Sequence, residues 1–255
     1  EWRAVNGLWT ESTGSFTPVT YGLKIVGGDA DVDNFIRKTR SNIHDQMGVQ
    51  VKLKSKVMAH SFADTFLYGV STGTNEFDGL HKMITDIGAA QQVHAGADAT
   101  GGPLSTVLLD QLVDLVTAGN VDFIVMNKAI RRRLTQYLRT VGSHQTSRDD
   151  YGNYWVMWNE IPIVVSDFLV QTETISGGAY AAKTGGACSS VFAVHLGEGD
   201  GLVGIQNGGI ETEVWERLET KDASRTRLKW YPGLALYATH AIARIDGVTD
   251  AAVSA

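Results

Sequence analysis

Apolar residues at Val32, Ile36, Ile43, Met47, Val51, Met58, Phe62 and Phe66 recur mostly four or seven positions apart, the spacing that stacks side chains on one face of an α-helix. Asp31 and Asp33 stand where a helix N-cap is favoured, so the pattern predicts one helix from about residue 32 to residue 67. At ~1.5 Å per residue it is roughly 50 Å long. Its main interruption is Gly48, which costs ~1 kcal/mol relative to alanine. Few compact domains in a chain of 255 residues need such a spine. The other face carries Arg37, Lys38, Arg40, Lys52, Lys54 and Lys56, a pattern that reads first as a solvated surface.

The flanks of the spine are equally unlike a closed domain. Residues 1–15 contain Trp2 and Trp9 without helical or strand period, and such an arm needs another surface to bury its aromatics. From Phe16 to Val26 the sequence is rich in β-formers, and it runs into Gly27-Gly28-Asp29. This predicts an extended ribbon closed by a turn, with Pro18 and Gly22 favouring an edge strand. After Tyr68-Gly69 the unit changes. A short helix to residue 87, a helix over 104–118, a buried strand over 121–126 and a helix over 128–141 give an α/β layer. Strands follow over 151–158, 161–168 and 191–196, with a glycine-rich loop at 176–186. Further strands cover 210–217 and 226–230, then an apolar segment runs over 234–245 and a tail over 247–255. The expected class is mixed α+β.

Composition excludes several functions. With 43% apolar and 20% charged residues the chain is expected to fold. Its net charge of 22 − 28 = −6 lacks the footprint of a dedicated nucleic-acid binder. The single Cys188 rules out an intrachain disulfide framework and a cysteine metal cluster, though it leaves a catalytic thiol open. No apolar run approaches the ~20 residues of a membrane span, so a soluble, cytosolic protein with no membrane contact is expected. Glu1 in place of Met points to removal of an upstream segment.

Each reactive motif has a plainer reading. Gly69-Val70-Ser71-Thr72-Gly73 has the form of a nucleophile elbow, but an elbow follows a strand and opens a helix, and the order of elements here is reversed. Ile25-Val26-Gly27-Gly28 reads as a turn, and Gly199-x-Gly201-x-x-Gly204 lacks the following helix that would hold a pyrophosphate. Seven histidines are scattered without the pairing a zinc site uses. Asp29, Asp31, Asp33 and the Asp149-Asp150 pair fit turns and caps. No catalytic residues, cofactor or metal are expected.

The order of arm, ribbon, spine, α/β insert and closing strands resembles the major capsid proteins of tailed bacteriophages, the Hong Kong 97-type (HK97-like) fold. The likeness is carried by Gly27-Gly28 leading to Phe35-Ile36, by Asn75-Glu76-Phe77-Asp78-Gly79-Leu80, and by Val121-Asp122-Phe123-Ile124-Val125-Met126-Asn127-Lys128 before Arg131-Arg132-Arg133. Trp158-Asn159-Glu160-Ile161-Pro162, Val214-Trp215, Thr226-Arg227-Leu228 and Gly233-Leu234-Ala235-Leu236 extend it nearly to the end.

The resemblance implies an N-terminal arm (1–15), an E-loop (16–31) and a peripheral domain holding the spine helix (32–68). It further implies an axial domain (69–209), peripheral return strands (210–247) and a C-terminal tail (248–255). The implied function is structural. Subunits self-assemble into hexamers and pentamers of an icosahedral procapsid that matures around double-stranded DNA, held without sequence-specific binding. The implied partners are a scaffold, with a maturation protease, portal and decoration protein beside it, and the implied location is the virion, assembled in the bacterial cytoplasm. Assembly contacts are expected from Trp2, Trp9, Phe16, Tyr21, Lys24, Arg131, Arg225, Arg227 and Lys229. Some relatives join a ribbon lysine to a peripheral asparagine. Lys24 is placed for this, but residues 210–231 contain no Asn, which argues against the cross-link. The same fold builds encapsulin nanocompartments, the alternative reading. A serine hydrolase using Ser71 is a remote third.

Overall fold

Gly27-Gly28-Asp29 is not a turn. These residues lie in strand β1 (Val26–Asp33), which pairs antiparallel with Ala223–Trp230 from Val26 opposite Trp230 to Asp33 opposite Ala223. A Cβ on Gly27 would stand 2.3 Å from the Leu228 carbonyl oxygen, so the glycine allows two backbones to approach closely. Strand alternation puts Ala30 and Val32 into the core and Asp29 and Asp31 on the other face.

Asp33 caps the short helix α1 (Asn34–Arg40), accepting from the Phe35 amide at 2.7 Å, and α1 buries none of its residues. The computed structural model describes residues 2–7, 9, 18–40, 45–96, 100–142, 146–148, 152 and 154–254; Phe16 and residues 41–44 lie outside these. The spine starts afresh at α2 (Gln46–Tyr68), where Asp45 in extended conformation accepts from the Met47 amide. One helix over 32–67 is therefore corrected to a strand end, a short helix and a spine of 23 residues. Apolar periodicity runs through all three, while the aspartates that satisfy free amides at 33 and 45 set the breaks. Gly48 falls in the first turn of α2. The N-terminal half of α2 leaves Val49, Leu53 and Val57 exposed, and burial is complete only at Met58 and Leu67.

The chain continues through α3 (Leu80–Ile87), β2 (Gln92–His94), α4 (Thr106–Leu115), β3 (Phe123–Met126) and α5 (Lys128–Val141). Ser105 and Asn127 cap α4 and α5 by accepting amides two residues on, and α5 closes at Gly142 with φ 77°. Then come β4 (Thr146–Arg148), β5 (Tyr154–Trp158), β6 (Ile161–Val165), β7 (Thr174–Ser176), β8 (Ala179–Ala182) and β9 (Ser189–Val194). The last strands are β10 (Leu202–Gln206), β11 (Glu211–Trp215), β12 (Ala223–Trp230), β13 (Pro232–Leu236) and β14 (Ile242–Val248). The glycine-rich loop at 176–186 contains the tight turn of the β7–β8 hairpin.

Among the described residues, seven strands form the main sheet in the order β2-β14-β9-β3-β6-β5-β4. Every residue of β9 and β14 is buried, as expected of strands covered on both faces. On one face Leu109 and Leu112 of α4 and Ile130 and Leu134 of α5 pack on Ile124 and Val191. On the other, Leu67 of α2 and Leu80 and Ile84 of α3 pack on Val125 and Phe192. Smaller sheets are β1-β12-β11, β10-β13 and β7-β8. The stretch 210–247 thus divides: β11 and β12 join β1, β13 joins β10, and β14 lies inside the main sheet. The final residues are tied down, with the Ser254 amide donating to the Leu104 carbonyl at 3.0 Å.

Leu134 is fully buried between α5 and the sheet. Leu134→Ala is expected to lower the unfolding free energy of the protein by roughly 2–5 kcal/mol. Val107→Ala, on the exposed side of α4, should change it by less than about 0.5 kcal/mol in the same urea titration.

Candidate functional site

The most concentrated chemistry is buried. Arg244 and Asp246 interrupt the apolar run of β14 two residues apart, which puts both on one face of the strand. Both are completely buried, a heavy desolvation cost unless the charges are matched inside. The Arg244 Nε lies 2.5 Å from Asp246 Oδ1, out of hydrogen-bond alignment, while Nη2 donates to Oδ2 at 3.2 Å. Its Nη1 donates to the His81 carbonyl at 3.1 Å and faces His81 Nδ1 at 3.0 Å. A guanidinium cannot accept, so Nδ1 is the acceptor and Nε2 carries the ring proton. That proton points at Glu173 Oε1, 3.1 Å away.

Glu173 is further held by the Tyr68 hydroxyl at 2.5 Å and the Ser190 hydroxyl at 2.6 Å, and Tyr68 accepts from the Val170 amide. Tyr68 stacks on His81 with centroids 4.7 Å apart, and the Tyr180 ring lies 3.9 Å from the same imidazole. Burial pushes the His81 pKa down to about 4, with Arg244 adding to the drop and Glu173 opposing it. Burial likewise pushes Tyr180 up to about 12 and Tyr68 above the ordinary phenol range. The set has the members of an acid–base relay, yet His81, Glu173 and Ser190 are only 3%, 1% and 0% exposed, so a substrate has no approach. What the arrangement does is fasten: it joins the C-terminal end of α2, α3, β8, β9 and β14.

The remaining reactive candidates fall away on geometry. Ser71 sits where α2 gives way to a loop, its amide and hydroxyl donating to Asp78 at 2.7 and 2.9 Å; the partner is a carboxylate and the elbow's strand-turn-helix is not there. Cys188 is buried with its thiol pKa pushed up by burial, the opposite of an activated thiolate. Among the described residues no cluster of three His, Cys, Asp or Glu is placed to hold a metal, and no helix is long and apolar enough to cross a membrane.

The residues expected to make assembly contacts scatter over the surface. Trp2 and Trp9 are exposed, with Arg3 above the Trp9 ring at 5.3 Å; Phe16 lies outside the described residues. Tyr21 is half-buried, its hydroxyl donating to the Leu236 carbonyl at 3.1 Å, and the Lys24 amide donates to the Pro232 carbonyl. Arg131 stands in a groove on α5. Arg225, Arg227 and Lys229, expected at assembly contacts, each pair with a carboxylate of the same chain. Arg225 grips Asp31 and Arg227 grips Asp29, each through two hydrogen bonds of 2.6–2.8 Å. Lys229 reaches Glu213 at 2.5 Å. The Arg227 hydrogen bonds hold the Asp29 carboxyl below its ordinary range, and the Arg225 hydrogen bonds, with Lys221 adding to them, do the same for Asp31. Asp29 and Asp31 therefore belong to a cross-strand ladder, not to a turn or cap. A separate apolar cleft of about 540 Å³ opens between α2 and the edge of β6, lined by Phe62, Phe66, Phe123, Val165 and Phe168.

No family model and no curated protein matches the sequence, but solved structures do. The SrpI encapsulin of Synechococcus elongatus PCC 7942 superposes with a TM-score of 0.70 at 18% identity, over 91% of this chain and 76% of that one. A chain of Mycobacterium phage Ogopogo gives 0.59 at 15% identity, over 96% and 82%. The procapsid of satellite phage P4, solved with its size determination protein, gives 0.53 at 9% identity, over 100% and 79%. The chain has the Hong Kong 97-type fold. Trp2, Trp9 and the N-terminal half of α2, at Val49, Leu53 and Val57, leave large apolar side chains exposed. Sequence reading missed the buried fastening around Arg244. A signal is present, a charged Arg-x-Asp pair inside an apolar segment, but its partner His81 lies 163 positions away in the chain and Tyr68 stands 105 positions from Glu173.

Acid should loosen the fastening. Between pH about 6.5 and about 4 the unfolded chain binds a proton at His81 that the folded protein refuses, so stability falls as pH is lowered through that window. Asp246, whose carboxyl burial pushes upward, works the other way. Asp29 and Asp31 contribute stability present above about 3.8 and lost below it. His81→Gln keeps a donor toward Glu173 and should flatten the slope between pH 6.5 and 4 in urea titrations; an unchanged slope would place the acid sensitivity elsewhere.

Proposed function

We propose that the protein is a structural subunit that self-assembles into a closed shell of pentamers and hexamers, and that it performs no catalysis. The observation that carries this reading is the extent of the likeness, which spans 91–100% of the chain in an encapsulin, a phage protein and a procapsid. Exposed apolar surface supports it, since each half-exposed side chain such as Leu53 or Val57 gains roughly 1 kcal/mol when a neighbour covers the rest of it. We assign residues 1–15 to an arm and 16–25 to an extended loop that leads into β1. The peripheral part takes α2 with β1, β11 and β12, and the axial part takes the main sheet with α3, α4 and α5. Trp2 and Trp9 are proposed to bury on adjacent subunits.

Within this reading, a capsid around double-stranded DNA is the first form, supported by the phage chains that match over 96–100% of the sequence. It brings a scaffold, protease and portal as partners. A nanocompartment shell enclosing protein cargo is the second form, favoured by the TM-score of 0.70 with the SrpI encapsulin. Electron cryo-microscopy of particles purified from expressing cells, with their nucleic acid and protein contents assayed, separates them. Closed shells holding double-stranded DNA support the first form, shells holding protein cargo without a genome support the second, and a chain that stays monomeric under every assembly condition overturns both. Trp2→Ala with Trp9→Ala should reduce the fraction of subunits in shells while leaving the melting of dispersed subunits unchanged.

A further inference from the structure

Two patches of opposite charge stand on different elements of the subunit, and neither is neutralised within it. The first is a groove of about 620 Å³ along α5, lined by Lys128, Arg131, Arg132, Gln136 and Arg139 and by no carboxylate. Lys128 reaches Asp167, and Arg132 shares Asp250 with Arg133. Arg131 and Arg139 have no carboxylate partner among the described residues, and the Arg131 Nε is shut off from solvent without an acceptor. The remaining guanidinium donors of Arg131 form a fork of the kind that suits a carboxylate.

The second patch is an acidic corner. Asp110 and Asp114 lie one turn apart on the exposed side of α4. Asp110 accepts from the Trp158 indole at 3.1 Å and from the Asn159 side chain at 3.2 Å, which locks the two-residue turn between β5 and β6 beside it. The tip of that turn is Glu160, exposed and at φ 67°, following Asn159 at φ 46°. Such a turn favours Asn-Gly, because glycine takes the second position without steric penalty. A glutamate held there keeps its carboxylate at a backbone cost, and no cation inside the subunit pairs with it, with Asp110 or with Asp114 among the described residues.

We propose that the acidic corner of one copy (Asp110, Asp114, Glu160) docks on the basic groove of the next copy (Arg131, Arg139), joining subunits head to tail. The partner is a second copy because one chain supplies both complementary patches on separate elements. Placing either patch against itself brings like charges together, and a net charge of −6 disfavours the polyanion reading. Head-to-tail contacts close into rings when the rotation permits. The inference rests on the shell reading and names a contact within it.

Charge reversal tests it. Arg131→Glu with Arg139→Glu makes both patches acidic, and Asp114→Lys with Glu160→Lys makes both basic. Either pair alone should cut the fraction of subunits in shells at least about tenfold near 0.15 M salt. The chain carrying all four substitutions should assemble within about twofold of the parent, because the complementarity is restored with its sense exchanged. Arg131→Gln with Arg139→Gln, a milder change, should assemble with weaker dependence on salt, and melting of dispersed subunits checks that each variant folds. If both reversed pairs assemble like the parent, or the fourfold variant stays as poor as the pairs, the contact is wrong while the shell reading stands. If the parent itself makes no shells, the shell reading fails with it. Shell yield unchanged but double-stranded DNA content lost on reversing Arg131 and Arg139 would give the groove to nucleic acid and overturn the proposal.

Discussion

An arginine without access to water must find its counter-charges inside the protein, and Arg244 finds them on β14, one strand in from the β2 edge of the main sheet. Its guanidinium is held by Asp246 on its own strand and by the backbone and ring of His81 on α3. The imidazole is in turn held by Glu173, to which Tyr68 at the end of α2 is bonded. Removing one member leaves a charge buried and unmatched, which is costlier than losing a surface pair. The junction of the spine with the sheet therefore rests on one buried polar cluster, with the apolar packing of Leu67, Leu80 and Phe192 around it.

The contrast with the other end of α2 is physical. Toward Tyr68 the helix is stacked, bonded and buried; toward Gln46 it leaves Val49, Leu53 and Val57 in solvent, and α1 before it buries nothing. The spine is thus secure at one end and uncovered at the other.

Local chemistry makes much of the fold legible in the sequence. The helix over Lys128–Val141 coincides with its periodicity because Asn127 caps it and Gly142 stops it, and the apolar run Val191–Val194 within β9 reads as an interior strand. The spine misleads for the same local reason: apolar spacing continues through Val32 and Ile36, and only the caps at Asp33 and Asp45 reveal three elements. Asp29 and Asp31 look like turn residues until the register with Arg225 and Arg227, nearly two hundred positions away, is known. The buried cluster escapes the sequence on the same ground, since its members are close only in space.

That register also decides how surface charge is used. Arg225 and Arg227 are consumed by Asp31 and Asp29, and the Arg227 guanidinium also lies 5.0 Å from the centre of the Trp215 ring. The ladder fixes β1, and with it the entry to residues 18–25, onto β12 without drawing on the hydrophobic core beneath the main sheet. Partly exposed pairs of this kind add little stability, but opposite charges directly across two strands penalise a slip, because a shift of one residue turns every side chain to the other face. Their value is therefore in register. The α5 groove differs, since Lys128, Arg131, Arg132 and Arg139 line it and no carboxylate does.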